Sequence, residues 1–326
     1  MKVCERVRSM LLFGAAVALF VGCAGDSLNL RTSRAAGPPS VSITATFVDG
    51  IGTRGTGPGL FTRPSDISTN ALGQVFVCDT GNDRIQMFST AGEYIGEIGG
   101  FGWGPQQLNA PTGVSAAASL DVWVADTQNR RIVHLDSRLN WLGVVDRETV
   151  GTESRDLGFP TDVAESDEGM LWFVDRDTDR LRRLSPFSET TDRPADRIGV
   201  TELANPSALA ICPDGTIVVA DTENDRIVLF DMFGTYLRSW GGNTLSRPSG
   251  VTCTRFGDIV IADTGNHRIV FLNRLGKPIG ELGTMGTLPG EFREPQGVAV
   301  DRNGRLWVAD TGNDRLQIFT ITRVTE

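Results

Sequence analysis

The hydrophobic and polar positions of this chain fall into short runs that predict strands. Near the C-terminus, Gln296 to Asp301 reads as a brief apolar strand, and Arg302, Asn303 and Gly304 as a turn in which glycine supplies a positive φ. Arg305 to Asp310 (RLWVAD) is apolar enough to be buried on both faces, and Arg315 to Phe319 (RLQIF) alternates as a third strand. Elsewhere a further turn leads to a fourth strand, as in Phe233 to Thr235 followed by Tyr236 to Trp240. Four antiparallel strands joined by tight turns make one blade of a propeller.

That unit recurs. Six times a proline is followed fifteen residues later by an aspartate, and five residues after that by an arginine. The triplets are Pro64/Asp79/Arg84, Pro111/Asp126/Arg131, Pro160/Asp175/Arg180, Pro206/Asp221/Arg226, Pro248/Asp263/Arg268 and Pro295/Asp310/Arg315. Successive aspartates are 47, 49, 46, 42 and 47 residues apart, so a rigid inner module alternates with an elastic connector. A period in the forties built from strands is the signature of a propeller array. The expected fold is all-β, a six-bladed β-propeller of four-stranded antiparallel blades. The sixth unit runs out at Glu326 before its fourth strand, while Thr46 to Gly52 aligns with Tyr94 to Gly99. The N-terminal strand is therefore expected to pair with Arg315–Phe319 and close the ring, removing the open edges.

The connectors share a pattern as well. Gly52 to Phe61 (GTRGTGPGLF), Gly99 to Leu108 (GGFGWGPQQL) and Gly283 to Phe292 (GTMGTLPGEF) each lead into a blade proline. Followed by strands such as GVAVD and VADTGNDR, this pattern resembles the NHL repeat over roughly residues 46–326. The third blade departs most. Asp175 to Arg180 (DRDTDR) lacks the Gly-Asn turn, and Ser185–Ala195 is polar and loop-like. The resemblance implies a propeller that presents a loop face to a protein, peptide, glycan or RNA ligand.

The N-terminus reads as an export signal. Lys2, Arg6 and Arg8 precede an apolar stretch from Met10 to Gly22, too short to span a bilayer comfortably. A small residue before Cys23, after such a core, resembles the bacterial lipobox, although Phe20 stands where leucine is usual. That resemblance implies cleavage before Cys23 and its lipidation. With Ala24 next and no aspartate there, it also implies the outer membrane of a bacterial envelope. Residues 1–22 are then a signal peptide, 23–40 a flexible tether containing Gly37-Pro38-Pro39, and 41–326 the propeller. The membrane is expected to be touched through the lipid alone.

Composition adds two constraints. The net charge of −9 repels phosphate backbones, so no nucleic-acid partner is expected, although a local basic patch is compatible with that total. Beyond Cys4 and Cys23 the cysteines are Cys78, Cys212 and Cys253, an odd number without close spacing. This argues against a disulfide framework or a zinc site. Cys78 takes the slot of Ala125, Ala220, Ala262 and Ala309 and reads as a core residue.

Residues that recur in every blade read as scaffold, because a catalytic site needs an asymmetric constellation. The Asp/Arg pairs are expected to brace the turn between the second and third strands. There the carboxylate accepts turn N–H groups and the arginine fork reaches a carboxylate in the same or the next blade. Asymmetry lies in the connectors, whose exceptional residues include Phe61 and Phe101, and where Arg54, Arg63, Trp103, Gln106, Arg155, Asn205 and Arg247 are the candidate ligand contacts. Phe61, Leu108 and Phe292 are expected to plug gaps between blades. A second asymmetry lies two residues after each proline. Gly113, Ala208, Gly250 and Gly297 are small there, but Asp66 and Asp162 are acidic and form a candidate metal pair for Ca²⁺. The two histidines, His134 and His267, are too few for the zinc site of related propeller lyases. No catalytic residues are assigned. The sequence favours a binding or scaffolding module for a protein, peptide or glycan, ahead of a calcium-dependent propeller hydrolase, lactonase or lyase.

Overall fold

The computed structural model describes residues 41–116, 120–150, 153–184 and 203–325, with the side chains of 148–155 outside that description. These residues build six antiparallel sheets arranged as the blades of a propeller. The first blade shows the plan: Pro64–Thr69, Gln74–Asp79, Arg84–Ser89 and Tyr94–Gly99 pair in chain order. Blades two, four and five repeat it. In blade three, three strands are described, Pro160–Glu165, Leu171–Asp175 and Arg180–Leu184. The polar stretch 185–195 that follows lies outside the described residues, as do Cys4, Cys23 and the whole of 1–40.

Blade six closes the ring. Its strands Val298–Val300, Arg305–Asp310 and Arg315–Thr325 are completed by the N-terminal strand Val41–Ile51. Phe47 lies opposite Phe319 and Ile51 opposite Leu316, with a bulge between Phe47 and Asp49. The pairing runs further than the repeat requires, out to Val41 opposite Thr325. A hairpin that the repeat does not contain, Arg147–Val150 with Glu153–Asp156, stands between blades two and three.

The second strand of each blade is buried along nearly its whole length because it has a sheet on either side. The core is accordingly divided among the six blade junctions. Val77 and Phe88 of blade one pack with Trp307 and Leu316 of blade six, and Val218 of blade four with Ile261 of blade five. Each blade thus draws its hydrophobic stabilisation from two neighbours, and an open ring would leave two faces wet. Phe61, Leu108 and Phe292 are all buried in such junctions. Phe61 meets Phe88 at 5.8 Å and Phe292 meets Phe319 at 5.9 Å between ring centroids. Gly52 and Gly283 sit against these plugging rings with φ of 82° and 98°, so any side chain there would strike the ring.

One expectation is corrected. Cys212 and Cys253 form a disulfide, with Cα atoms 5.2 Å apart and 41 residues between them in sequence. The count of cysteines was the wrong guide, because the odd one, Cys78, is a buried free thiol. Cys212 follows the first strand of blade four, Pro206–Ile211, and Cys253 ends the first strand of blade five, Pro248–Cys253. One propeller repeat brings these equivalent strand ends side by side.

Candidate functional site

The repeated residues form the frame on which any site is mounted. Each blade aspartate is fully buried and uses both carboxylate oxygens. One oxygen of Asp79 accepts the N–H of Thr62 at 2.8 Å, and Asp126, Asp221, Asp263 and Asp310 do the same for Asn109, Ala204, Ser246 and Arg293. These donors lie in the incoming connector, and the turn donates as well, as the sequence suggested, through the side-chain amides of Asn82, Asn129, Asn224, Asn266 and Asn313 and, in blade three, the N–H of Asp177. The other oxygen accepts the Nε of Arg84, Arg131, Arg226, Arg268 or Arg315, at 2.6–2.8 Å.

These arginines reach a carboxylate of their own blade across the turn, as the sequence suggested. They also tie the blade to its connector, because the buried aspartate they neutralise is the one that holds the connector N–H. Arg84 donates to the carbonyls of Thr56, Gly57 and Leu60, and Arg131 to those of Trp103, Gly104 and Gln107. Arg268 donates to the carbonyl of Thr244, and Arg315 to those of Leu288 and Glu291. Arg226 acts through Asp221, whose other oxygen holds the Ala204 N–H. A second carboxylate is reached within the same blade, on its fourth strand, by Arg84 at Glu97 and by Arg268 at Glu281, both at 2.9 Å. In blade three the partner of Asp175 is Arg182 at 2.9 Å, two residues beyond the Arg180 that the register names, and Arg180 is exposed.

Two further sets of bonds stitch blade to blade. The first strand bulges just after its proline, which tolerates the missing N–H. The proline carbonyls of blades two, four, five, six and one each face a hydroxyl of the preceding blade. Thr80 donates to Pro111, Thr161 to Pro206, Thr222 to Pro248, Thr264 to Pro295 and Thr311 to Pro64, at 2.6–2.9 Å. Thr112 bridges the remaining junction to the carbonyl of Thr161 at 2.7 Å. In addition, the residue before the proline adopts a left-handed conformation in five blades, at Arg63, Ala110, Asn205, Arg247 and Glu294. Its N–H is captured by the preceding blade. Asp314, Asp83, Asp179, Asp225 and the Nδ1 of His267 are the acceptors, at 2.7–3.0 Å. His267 therefore occupies an aspartate's position as a hydrogen-bond acceptor. His134 stacks on Trp123 at 3.9 Å with its Nε2 3.1 Å from Asp121.

On this frame the connectors and the Asp–Arg turns share one face. Arg54, Arg63, Trp103, Gln106 and Arg247 are exposed there, and Asn205 is half-buried with its amide 3.3 Å from Glu223. Arg155 pairs in register with Glu148 in the extra hairpin, and its side chain lies outside the described residues. Three connectors in a row around the ring, those entering blades six, one and two, have one geometry. Each is pinched by a bridge between an outer and a plugging residue: Met285 with Phe292, Arg54 with Phe61, and Phe101 with Leu108. The inner member is buried and the outer member projects. Phe101 and Trp103 are 68% exposed, and Met285 and Leu288 are 64% exposed. The sequence reading passed over Met285 and Leu288. The signal was present, since Met285 holds the same connector position as Phe101.

The channel carries the second candidate. Asp66 and Asp162 line one cavity of about 240 Å³ with Ser68, Glu165 and inner-strand backbone. Each carboxylate reaches the next blade: Asp66 accepts the N–H of Val114 and Asp162 that of Leu209, both at 2.8 Å. Desolvation is the main cause that pushes Asp66 up from its ordinary 3.8 to about 7. Asp162 is pushed well above the ordinary range by desolvation and then by the charge of Asp66. Burial, followed by the Asp66 charge, also raises the Cys78 thiol. The glycines in the equivalent slots are required by close approach. A Cβ on Gly297 would lie 2.5 Å from the Asp66 Cα, and one on Gly113 would lie 2.6 Å from the Asp162 Cα. Among the described residues no cluster of three His, Cys, Asp or Glu side chains forms. Two carboxyls already bound to backbone N–H groups are a thin donor set for calcium, which takes six to eight oxygens.

The fold and its repeated stitches define a six-bladed β-propeller. Its blades carry NHL repeats: the NHL repeat pattern matches residues 61–88, 203–230, 245–270 and 292–319, in blades one, four, five and six. No curated protein sequence matches the chain. Among solved structures, a protein of unknown function from Bacteroides thetaiotaomicron aligns with a TM-score of 0.66 at 14% identity, covering 87% of this chain and 77% of that one. A gluconolactonase from Xanthomonas campestris aligns at 0.63 and 17%, covering 89% and 99%. The virginiamycin B lyase of Staphylococcus aureus aligns at 0.56 and 13%, covering 86% and 99%. These likenesses establish the propeller fold.

Proposed function

We propose that the protein is an exported, lipid-anchored propeller that binds a protein, peptide or glycan in the cell envelope through its connector face. The observation that carries this reading is the exposure of Phe101, Trp103, Met285 and Leu288 on the two connectors that flank the one entering blade one, connectors whose other residues are tightly bonded. Apolar tips on a rigid frame lose little entropy on binding and gain by desolvation, with arginines alongside for polar contacts. The Cys212–Cys253 disulfide supports an oxidising compartment independently of the N-terminal signal.

The test is capture from detergent-solubilised envelope with the full chain as bait, compared with a Phe101→Ala/Trp103→Ala variant of unchanged melting temperature. Loss of specific partners from the variant is expected, and equal recovery would remove the connector face from consideration. Incorporation of labelled palmitate, abolished by Cys23→Ala, tests the anchor.

A second reading makes the channel a calcium-dependent hydrolase or lyase site at Asp66 and Asp162. Its support is that both carboxyls face one cavity in a fold that a gluconolactonase and a lyase also adopt. Millimolar Ca²⁺ should then raise the melting temperature of the wild type and leave Asp66→Asn unmoved. An unshifted wild type would sink this reading.

A further inference from the structure

A cavity of about 430 Å³ lies on the face opposite the connectors, between blades five and six. Its floor is apolar, with Ile43 from the closing strand beside Val300 and Ile321. Its rim is cationic, with Arg255 and Arg323 over the half-exposed ring of Phe256 and Arg302 in the wall.

The charges do not cancel locally. Asp258 is bound by Arg323 Nε at 2.7 Å. Asp301 is filled by its own turn, accepting the N–H groups of Asn303 and Arg305, Arg305 Nε at 3.0 Å and the indole of Trp307. Arg302 makes a hydrogen bond to the carbonyl of Ala71 and has no carboxylate partner among the described residues. Arg255 sits 4.8 Å from the Phe256 ring, likewise without a carboxylate. Arg255 thus remains at the rim of an apolar cavity without a carboxylate among the described residues, while the Arg302 guanidinium is held by Ala71 of blade one, in a chain whose net charge is −9. A volume of this size lies in the small-molecule range, and apolar walls with a few convergent polar groups are the general form of a ligand pocket.

We propose that this cavity binds a small amphipathic anion, an apolar body carrying one carboxylate, sulfonate or phosphate. The apolar body occupies the floor over Ile43 and Ile321, and the anionic group meets Arg255 at the rim. The walls come from blade five, blade six and the N-terminal strand, so occupancy also reinforces ring closure.

The experiment uses the purified full chain and the fluorescent anion 1-anilinonaphthalene-8-sulfonate. One saturable site is expected, displaced by decanoate and unaffected by decylamine at the same concentration. Arg255→Glu, at an exposed position, should weaken binding by about tenfold or more at an unchanged melting temperature. Should that variant melt early, Thr322→Trp fills the cavity from an exposed position and should abolish the site. Unaltered binding by the charge-reversed and filled variants, or equal displacement by decylamine, overturns the proposal.

Discussion

The carboxylate of Asp314, in the last blade, accepts a 2.8 Å hydrogen bond from the backbone N–H of Arg63, at the entrance to the first. The two residues are 251 positions apart, yet the bond is the same one that Asp83 makes to Ala110 between blades one and two. Asp314→Ala should therefore cost about 1–2 kcal/mol, the scale of a partly exposed charge-assisted hydrogen bond. Denaturant titration would measure it, with Asp314→Asn recovering part of the loss. A cost below about 0.3 kcal/mol would mean that the bond contributes nothing to closure.

His267 makes the equivalent bond with Nδ1, which requires the neutral ring with its proton on Nε2. His267→Asp should be tolerated, because four other junctions use aspartate there. His267→Ala should destabilise by about 1 kcal/mol, as expected for a lost hydrogen bond. If both variants melt alike, the acceptor role is wrong.

Stability should fall as the pH rises through neutrality. Asp66 ionises at about 7 in the folded ring against 3.8 ordinarily, and Asp162 is also raised, by desolvation and then by the charge of Asp66. Folding therefore favours the protonated carboxyls. Their contribution is complete below about pH 4 and is lost as the pH passes through 7 and above. Melting temperatures between pH 5 and pH 9 should decline, and Asp66→Asn, which mimics the protonated acid, should flatten the decline. Parallel profiles for wild type and variant would refute this assignment.

Removing residues 41–51 should be far more damaging than removing 24–40. The first deletion strips the partner from Arg315–Thr325 and leaves an open edge strand, a template for aggregation. Light scattering during thermal melts would report it, and a soluble deletion variant with an unchanged transition would contradict the closure argument.

Cys212→Ser/Cys253→Ser should lower stability by about 2–4 kcal/mol, the usual range for a cross-link closing a loop of this size. A reductant should destabilise the wild type and leave the double variant unaffected.

The register of Pro, Asp and Arg made the blades legible, because each blade's strands and turns are local and recur at fixed spacing. Closure by the N-terminal strand was legible for the same reason, since an unpaired fourth strand at one end matched a missing one at the other. What the register did not convey is where its charges reach. Arg131 and Arg268 extend to connector carbonyls 24 to 28 residues upstream, a distance in sequence that no turn motif spans. Blade three shows the same limit. Its register names Arg180, but Arg182 reaches Asp175, because side-chain reach depends on the path of a turn that has lost its Gly-Asn pair. The exposed tips were only partly read. Trp103 stood out by composition, whereas Met285 was passed over, and its bridge to Phe292 shows which of the two turns inward.

The sequence by itself determined the architecture, since strand periodicity, turn chemistry and the six-fold register are properties of neighbouring residues. Only the tertiary structure decided what lies between blades. The Cys212–Cys253 bond, the capture of Arg63 by Asp314, the coupling of Asp66 with Asp162 and the arginine-rimmed cavity all join residues 41 to 280 positions apart. No local pattern encodes such contacts. They arise because closing the ring places equivalent points of successive blades beside one another.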